Sequence, residues 1–189
     1  MQMTAMSRNR RQAILRQAVG YIELGELLVE ADQPVPASAQ KILLRGLATL
    51  DELPEPTRSK PDAKLLEGEA LRALGRWEEA IVPLTLVSEQ DPLRLEAWLG
   101  LGWCLKRLGR LADAIGILEK GLVASPQQPI LHYNLACYLS LGGKVQAAIE
   151  HLTQAIASDG RFRELMEVEP DFDPIRKDPR FAAVTSVTI

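Results

Sequence analysis

The chain has 189 residues, 47% of them hydrophobic, with 22 basic and 25 acidic side chains and a formal net charge of −3. That length suits one domain or one short repeat array, and the apolar share is enough to fill a continuous core. A slightly acidic chain has no general attraction for phosphate backbones, so composition argues against a nucleic-acid role. No apolar run approaches the roughly 18 residues of a membrane span. No apolar stretch follows the first basic residues as a secretory signal requires. The two cysteines, Cys104 and Cys137, follow no metal-ligand spacing. They fit a reducing, cytoplasmic setting in which small thiols sit in cores.

At the start of the chain Arg8, Arg10, Arg11 and Arg16 cluster, and no acidic residue precedes Glu23. An Arg-rich, acid-free start has the composition of an organellar transit peptide. Here Ile14, Leu15, Ala18, Tyr21, Ile22 and Leu24 carry on at helical spacing, which favours a helix that begins with basic residues. Residues 1–9 are expected to fray. A helix is expected from about Arg10 to Glu30, with Gly25 as a weak point inside it. The segment ADQPVPASAQ reads as a loop, because Pro34 and Pro36 lack the N–H that a helix interior needs. Ser38 is expected to cap a helix from Ala39 to about Glu52. Residues Ala39 to Leu47 share the small-residue and glycine spacing of Ala114 to Leu122. Residues 10–53 therefore read either as a divergent repeat with a long inter-helix loop or as an unrelated capping hairpin. In the first reading Gly25 to Ala39 spans 14 steps where Gly75 to Ala80 spans five. LPEPTRSKP, residues 53–61, is a proline-rich linker and the expected hinge.

From Pro61 the chain repeats itself every 34 residues. Gly75, Gly109 and Gly143 keep that step, as do Ala80, Ala114 and Ala148, and Leu84, Leu118 and Leu152. Gly68 and Gly102 are followed in register by Ala136, and Pro92 and Pro126 by Gly160. Each copy reads as a first helix A, a glycine turn and a second helix B, over residues 61–94, 95–128 and 129–160. Glycine ends helix A cheaply because it tolerates positive φ. Pro83 lies inside the first helix B and is expected to kink it or remove one hydrogen bond. In the second copy Trp98, Leu101, Gly102 and Leu105 make a buried face, opposed by Ala114, Ile117, Leu118 and Gly121. In the third, Leu135, Ala136 and Leu139 oppose Ala148, Leu152 and Ala155. His132 occupies the column of Trp98 and reads as a packing histidine.

Residues 161–189 hold all three phenylalanines of the chain. Asp173–Pro174 and Asp178–Pro179 each combine an N-cap residue with a first-position proline, so each is expected to start a short helix. A repeat array must cover its last apolar face. Phe162, Leu165, Phe172, Ile175 and Phe181 are expected to lie on the end of the third copy.

A 34-residue period with small residues at the eighth and twentieth positions, glycine at the fifteenth and proline near the thirty-second resembles the tetratricopeptide repeat. The resemblance implies an all-α, right-handed α-solenoid of helix-turn-helix tetratricopeptide repeats. It would comprise an N-terminal hairpin and linker at 1–60, three repeats over 61–160 and a capping tail at 161–189. The EPDFDPIRKDPRF segment also resembles a C-terminal ending of bacterial tetratricopeptide proteins. The family implies a non-enzymatic, cofactor-free protein-interaction module, a scaffold or adaptor holding a peptide or helix in its concave groove. In the family that groove is lined by the second, fifth, ninth and twelfth positions of helix A. Here these are Asp62, Leu65, Glu69 and Arg72; then Glu96, Leu99, Trp103 and Lys106; then Ile130, Tyr133, Cys137 and Ser140. The 3-4-3 spacing puts each set on one stripe. The expected groove residues are Leu65, Glu69, Leu99, Trp103, Lys106, Tyr133, Asn134 and Cys137, with Trp103 and Tyr133 as aromatic anchors. The alternative for Trp103 is the edge of the core.

Family members that clamp chaperone C-terminal carboxylates need Lys, Asn and Arg at fixed groove positions. This chain has Leu65, Glu69, Gly100, Ile130 and Asn134 there, so no carboxylate clamp is expected. The Leu99-Gly-Leu-Gly-Trp-Cys104 run, followed by Leu108-Gly109 and Ala114-Ile115, resembles the middle repeat of type III secretion translocator chaperones. A chaperone for secreted substrates is thus one alternative, and a non-catalytic subunit of an enzyme complex another. No catalytic or metal set emerges. His132 and His151 lack ligand spacing. Cys137 and His132, five apart on one helix, point about 140° apart. Gly142–Gly143 reads as an inter-helix turn rather than a phosphate cradle. Asp171, Asp173 and Asp178 read as helix caps, not a calcium loop.

Overall fold

The computed structural model describes residues 7–30 and 33–186, with side chains up to residue 184. The described residues form α1 (Arg8–Glu26), α2 (Ala37–Leu50), α3 (Pro61–Ala73), α4 (Trp77–Gln90), α5 (Leu95–Arg107), α6 (Leu111–Ala124), α7 (Pro129–Leu141), α8 (Val145–Ser158), α9 (Arg161–Val168), a 3-10 turn (Pro170–Phe172) and α10 (Pro179–Ser186). No strand occurs among them. No helix among them is long and apolar enough to cross a membrane. The chain divides into two compact units, one up to Cys104 and one from Leu105 onward, so the boundary falls within α5.

The repeat period is visible in how the A helices end. Gly75, Gly109 and Gly143 have φ of +74°, +73° and +69°. Each lets the next residue's N–H turn back: Arg76 to the Leu71 carbonyl, Arg110 to Leu105 and Lys144 to Leu139, each at 2.9 Å. This is the Schellman closure of a helix, and glycine makes it possible because a Cβ would strain that backbone.

In unit 1, α1 and α2 pair as a hairpin against α3. The core there contains Ile14, Ala18, Ile22, Leu43, Leu50, Leu53, Ala63, Ala70 and Ala73. The helix starts at Arg8, earlier than expected, because the Ser7 hydroxyl accepts the Arg10 N–H at 3.3 Å. The expected fraying of residues 1–6 lies outside the described residues. Ser38 is not the cap of α2. The helix begins at Ala37 behind Pro36, and the Gln40 side chain donates to the Val35 carbonyl at 3.0 Å.

Gly25 has a different role from the one its sequence neighbours suggest. A Cβ there would lie 2.6 Å from Leu43, just as a Cβ on Gly68 would lie 2.6 Å from Leu84. Gly25 thus matches the helix-contact glycine Gly68, not the turn glycine Gly75. Counted from that glycine to the buried alanine of the next helix, the N-terminal hairpin has 14 steps and the 61–94 repeat has 12. The long inter-helix insertion shrinks to two residues.

The linker is not a free hinge. Leu53 is buried, the Pro54 carbonyl accepts N–H bonds from Thr57 and Arg58, and the Ser59 hydroxyl donates to Glu55 at 2.6 Å. Further on, α4 runs unbroken through Pro83, so the proline removes only the N–H that would reach the Glu79 carbonyl.

In unit 2, α7 and α8 form a hairpin, α6 packs on α7, and the tail folds back on α7 and α8. Phe162, Met166, Phe172, Ile175 and Phe181 are buried, whereas Leu165 is 48% exposed. Met166, one turn beyond Phe162, takes the place expected of Leu165. The tail is tied together by Arg176, which donates to the carbonyls of Met166, Glu167 and Glu169 at 3.3, 3.1 and 2.8 Å. Of the two Asp-Pro pairs only one starts a helix. Asp178 accepts the Arg180 N–H at 2.9 Å at the head of α10. Asp173 has φ −54° and ψ −37°, a helical geometry, whereas an N-cap needs an extended one. Asp173–Pro174 is therefore part of a turn.

Candidate functional site: the inner stripe of the A helices

Four of the expected groove residues lie in unit 1. Leu65 is buried, and Glu69, Leu99 and Trp103 are half-buried. The Trp103 ring meets Trp77 edge-on, with centroids 6.1 Å apart and planes at 79°. The Arg72 guanidinium lies 5.6 Å over the same ring. Its other side is committed to Glu26 of α1 at 2.6 Å. Glu69, one turn before Arg72, is pushed up to about 7 by burial first and then by the charges of Glu26, Glu96 and Glu23, against the opposing pull of Arg72. Glu26 is raised for the same first reason, burial, although Arg72 holds it down. Glu69 therefore stands among three other carboxylates, with Arg72 as the cation that opposes them.

Beside this cluster is an open cleft of about 560 Å³ between α1 and α3. Leu15, Val19, Leu65 and Leu66 form its apolar walls, and Arg16, Glu23, Asp62 and Arg94 its charged rim. Arg94 is held by Asp62 at 3.0 Å and by Asp91 at 3.2 Å. Leu65 and Glu69 belong to the expected stripe. The contribution of α1 was not anticipated. Leu15, Val19 and Glu23 follow one another at i+4 and lie one face round from the core residues Ile14, Ala18 and Ile22. That second stripe is present in the sequence, but no 34-residue column marks it, because the hairpin is offset from the period.

The other four expected residues lie in unit 2, and there the stripe is covered. Tyr133 is buried, stacked on Phe162 at 4.8 Å and met edge-on by Phe172 at 5.7 Å. Burial pushes its hydroxyl well above the usual phenol range. Cys137 is buried, and burial followed by the charges of Glu169 and Asp171 pushes its thiol far up. Lys106 pairs with Asp171 of the 3-10 turn and lies 5.5 Å over the Tyr138 ring. Asn134 turns back on its own helix, donating to the Ile130 carbonyl at 2.9 Å. Tyr133, Cys137 and Lys106 are thus brought together, but by the chain's own tail rather than as an open surface.

The remaining chemistry-bearing side chains are structural. His132 Nε2 donates to the Pro126 carbonyl at 2.9 Å, and Trp98 Nε1 donates to the Pro92 carbonyl at 2.9 Å. The histidine reproduces the tryptophan's bond in the same column, six residues after each proline. With Nε2 carrying that proton, His132 Nδ1 can accept from His151 Nδ1, 2.8 Å away. Burial, and then His132, lower the pKa of His151. Cys104 is fully buried, and its thiol is pushed up to about 11, chiefly by burial. Among the described residues no three ligand side chains converge on a metal position.

A tetratricopeptide-repeat family model matches residues 71–136. Among solved structures the chain is similar to TTC0263, a thermophilic TPR protein of Thermus thermophilus. The two are 19% identical, the match covers 92% of this chain and 89% of that one, and the TM-score is 0.59. It is also similar to MamA (41-end) from Desulfovibrio magneticus RS-1, at 19% identity over 89% of this chain and 93% of that one, with a TM-score of 0.58. At such identities the likeness is one of fold. No curated protein matches the chain.

Proposed function

We infer that this chain, a tetratricopeptide-repeat protein, is an interaction module that holds a peptide or helix of a partner protein against the inner stripe of unit 1. The observation that carries this reading is the open cleft of about 560 Å³ between α1 and α3, with apolar walls and charged rim. Small binding sites are concave, mostly apolar and edged by a few polar groups. The fold class supports the same reading, since repeat proteins commonly use extended inner surfaces for binding. Leu65, Glu69, Leu99 and Trp103 are the contact residues in this reading. Lys106, Tyr133, Asn134 and Cys137 hold the tail or their own helix instead.

The module is read as non-catalytic, because both thiols are buried and raised and both imidazoles are spent on structural bonds. The two buried free thiols support a reducing, cytoplasmic setting. The test is partner capture from the native cell with wild type and Trp103→Ala in parallel. Aromatic anchors carry a few kcal/mol, so the variant should hold its partners about 30-fold more weakly, with helicity by circular dichroism unchanged. Equal capture by both would refute the reading.

A further inference from the structure

We propose that the unit 1 cleft is built for a partner segment that combines apolar side chains with a lysine or arginine. The apolar groups would enter between Leu15, Val19, Leu65 and Leu66, and the cation would stand over Glu23 toward Glu69. This names the partner chemistry for the groove reading above and rests on it.

Three observations give the segment its sign and direction. The first is the run of the cleft. Arg16 and Glu23 both line it, two helical turns apart on α1, so opposite charges stand about 10 Å apart along its α1 wall. The second is the surroundings of the Glu23 end. Glu69 is faced by Glu23 and Glu26 from α1, by Arg72 from its own helix and by Glu96 from α5. Arg72 is already committed to Glu26 and to the Trp103 ring. A partner's cation relieves the repulsion among these carboxylates, while a partner's carboxylate adds to it. At the rim the Arg94 guanidinium is held by Asp62 and Asp91.

The third observation is how unit 2 satisfies its own stripe. There the charge on the stripe is a half-buried cation, Lys106, and the segment that covers it brings an acidic residue next to an aromatic one, Asp171 and Phe172. The stripe of unit 1 carries the opposite charge beside its apolar walls. Its complement is therefore basic next to apolar. Glu69 holds its proton to about pH 7 in the unliganded chain. A bound cation favours its ionised form, so binding releases a proton and tightens as pH rises from 6 to 8.

The probe is a set of three fluorescent 12-residue helical peptides, identical except at one position. Each has leucines at i and i+4, followed at i+7 by Lys, Gln or Glu. Anisotropy is measured with the full chain at 0.15 M salt, at pH 6 and pH 8. The lysine peptide should bind at least tenfold more tightly than the glutamate peptide at pH 8, and that ratio should shrink severalfold at pH 6. Glu69→Gln should remove most of the pH dependence, and Val19→Gln, at the cleft wall, should weaken the lysine peptide severalfold. If the glutamate or glutamine peptide binds as tightly as the lysine peptide and Val19→Gln weakens it, the groove reading stands and the proposed charge preference is wrong. If Val19→Gln leaves the lysine peptide unaffected, the cleft is not its site and the proposal fails. If none of the three peptides binds, both readings fall.

Discussion

In unit 1 the fifth and ninth positions of an A helix are Leu65 and Glu69, Leu65 in the wall of an open cleft and Glu69 in a cluster of four carboxylates that reaches the cleft at Glu23. In unit 2 the same two positions are Tyr133 and Cys137, and they lie beneath Phe162 and Phe172 with Lys106 answered by Asp171. The repeat gives both pairs the same direction from their helix. What differs is the chain that follows. Unit 2 ends in a segment whose aromatic residues return to the stripe, and among the described residues of unit 1 no segment does the same. A position in a repeat therefore fixes where a side chain points, while the non-repeating parts decide whether it meets solvent, a partner or the protein itself.

The largest expected effect is on the covered side. Phe172 is fully buried and contacts both Tyr133 and Phe181. Phe172→Ala should cost about 3–5 kcal/mol in urea unfolding and free Tyr133 to quenchers. An unchanged midpoint would mean that the tail does not seal the stripe. Next come the two contact glycines. Gly25→Ala and Gly68→Ala place a Cβ against the body of a leucine, and each should cost about 1–3 kcal/mol by thermal melt. A neutral Gly25→Ala beside a costly Gly68→Ala would break the equivalence of the N-terminal hairpin with the repeat.

A smaller effect tests the charge of the open side. Glu69 gives up its proton near 4.5 when unfolded and near 7 when folded. Between those values the folded chain binds more protons, so this group's contribution to stability falls as pH rises and stays low above about 7. Glu69→Gln removes that loss. After discounting for solvent, the variant should gain about 1–2 kcal/mol over wild type at pH 8 and nothing at pH 4.5. Glu26, raised in the same direction, keeps a residual slope of the same sign. A wild-type advantage at pH 8 would show that the cluster is not repulsive. The smallest effect is that of Asp171→Asn, which weakens a partly buried ion pair with Lys106 and should cost about 1 kcal/mol or less.

Much of this was legible in the sequence, and the parts that were not have physical reasons. Gly75, Gly109 and Gly143 mark helix ends because their left-handed backbone has few other solutions. Gly25 looked like one of them, yet it is a contact glycine, because a glycine inside a helix serves close packing as readily as it serves a turn. The tail was recognisable as a cover by its aromatic content. Its choice of Met166 over Leu165 depends on the phase of α9, an eight-residue helix too short to reveal its phase by periodicity. His132 was legible as a stand-in for Trp98 because the proline six residues earlier recurs with it. The α1 wall of the cleft was not, since nothing in a 34-residue register aligns Leu15 and Val19 with α3.

The most direct test of an open stripe in unit 1 and a self-filled one in unit 2 is NMR shift mapping. The full chain, with labelled methyl and aromatic groups, is titrated with the lysine-bearing peptide at pH 8. The account predicts that Leu15, Val19, Leu65 and Leu66 move together while Tyr133, Phe162 and Phe172 stay in place. Movement of Tyr133, Phe162 and Phe172 with the cleft methyls unperturbed would contradict it.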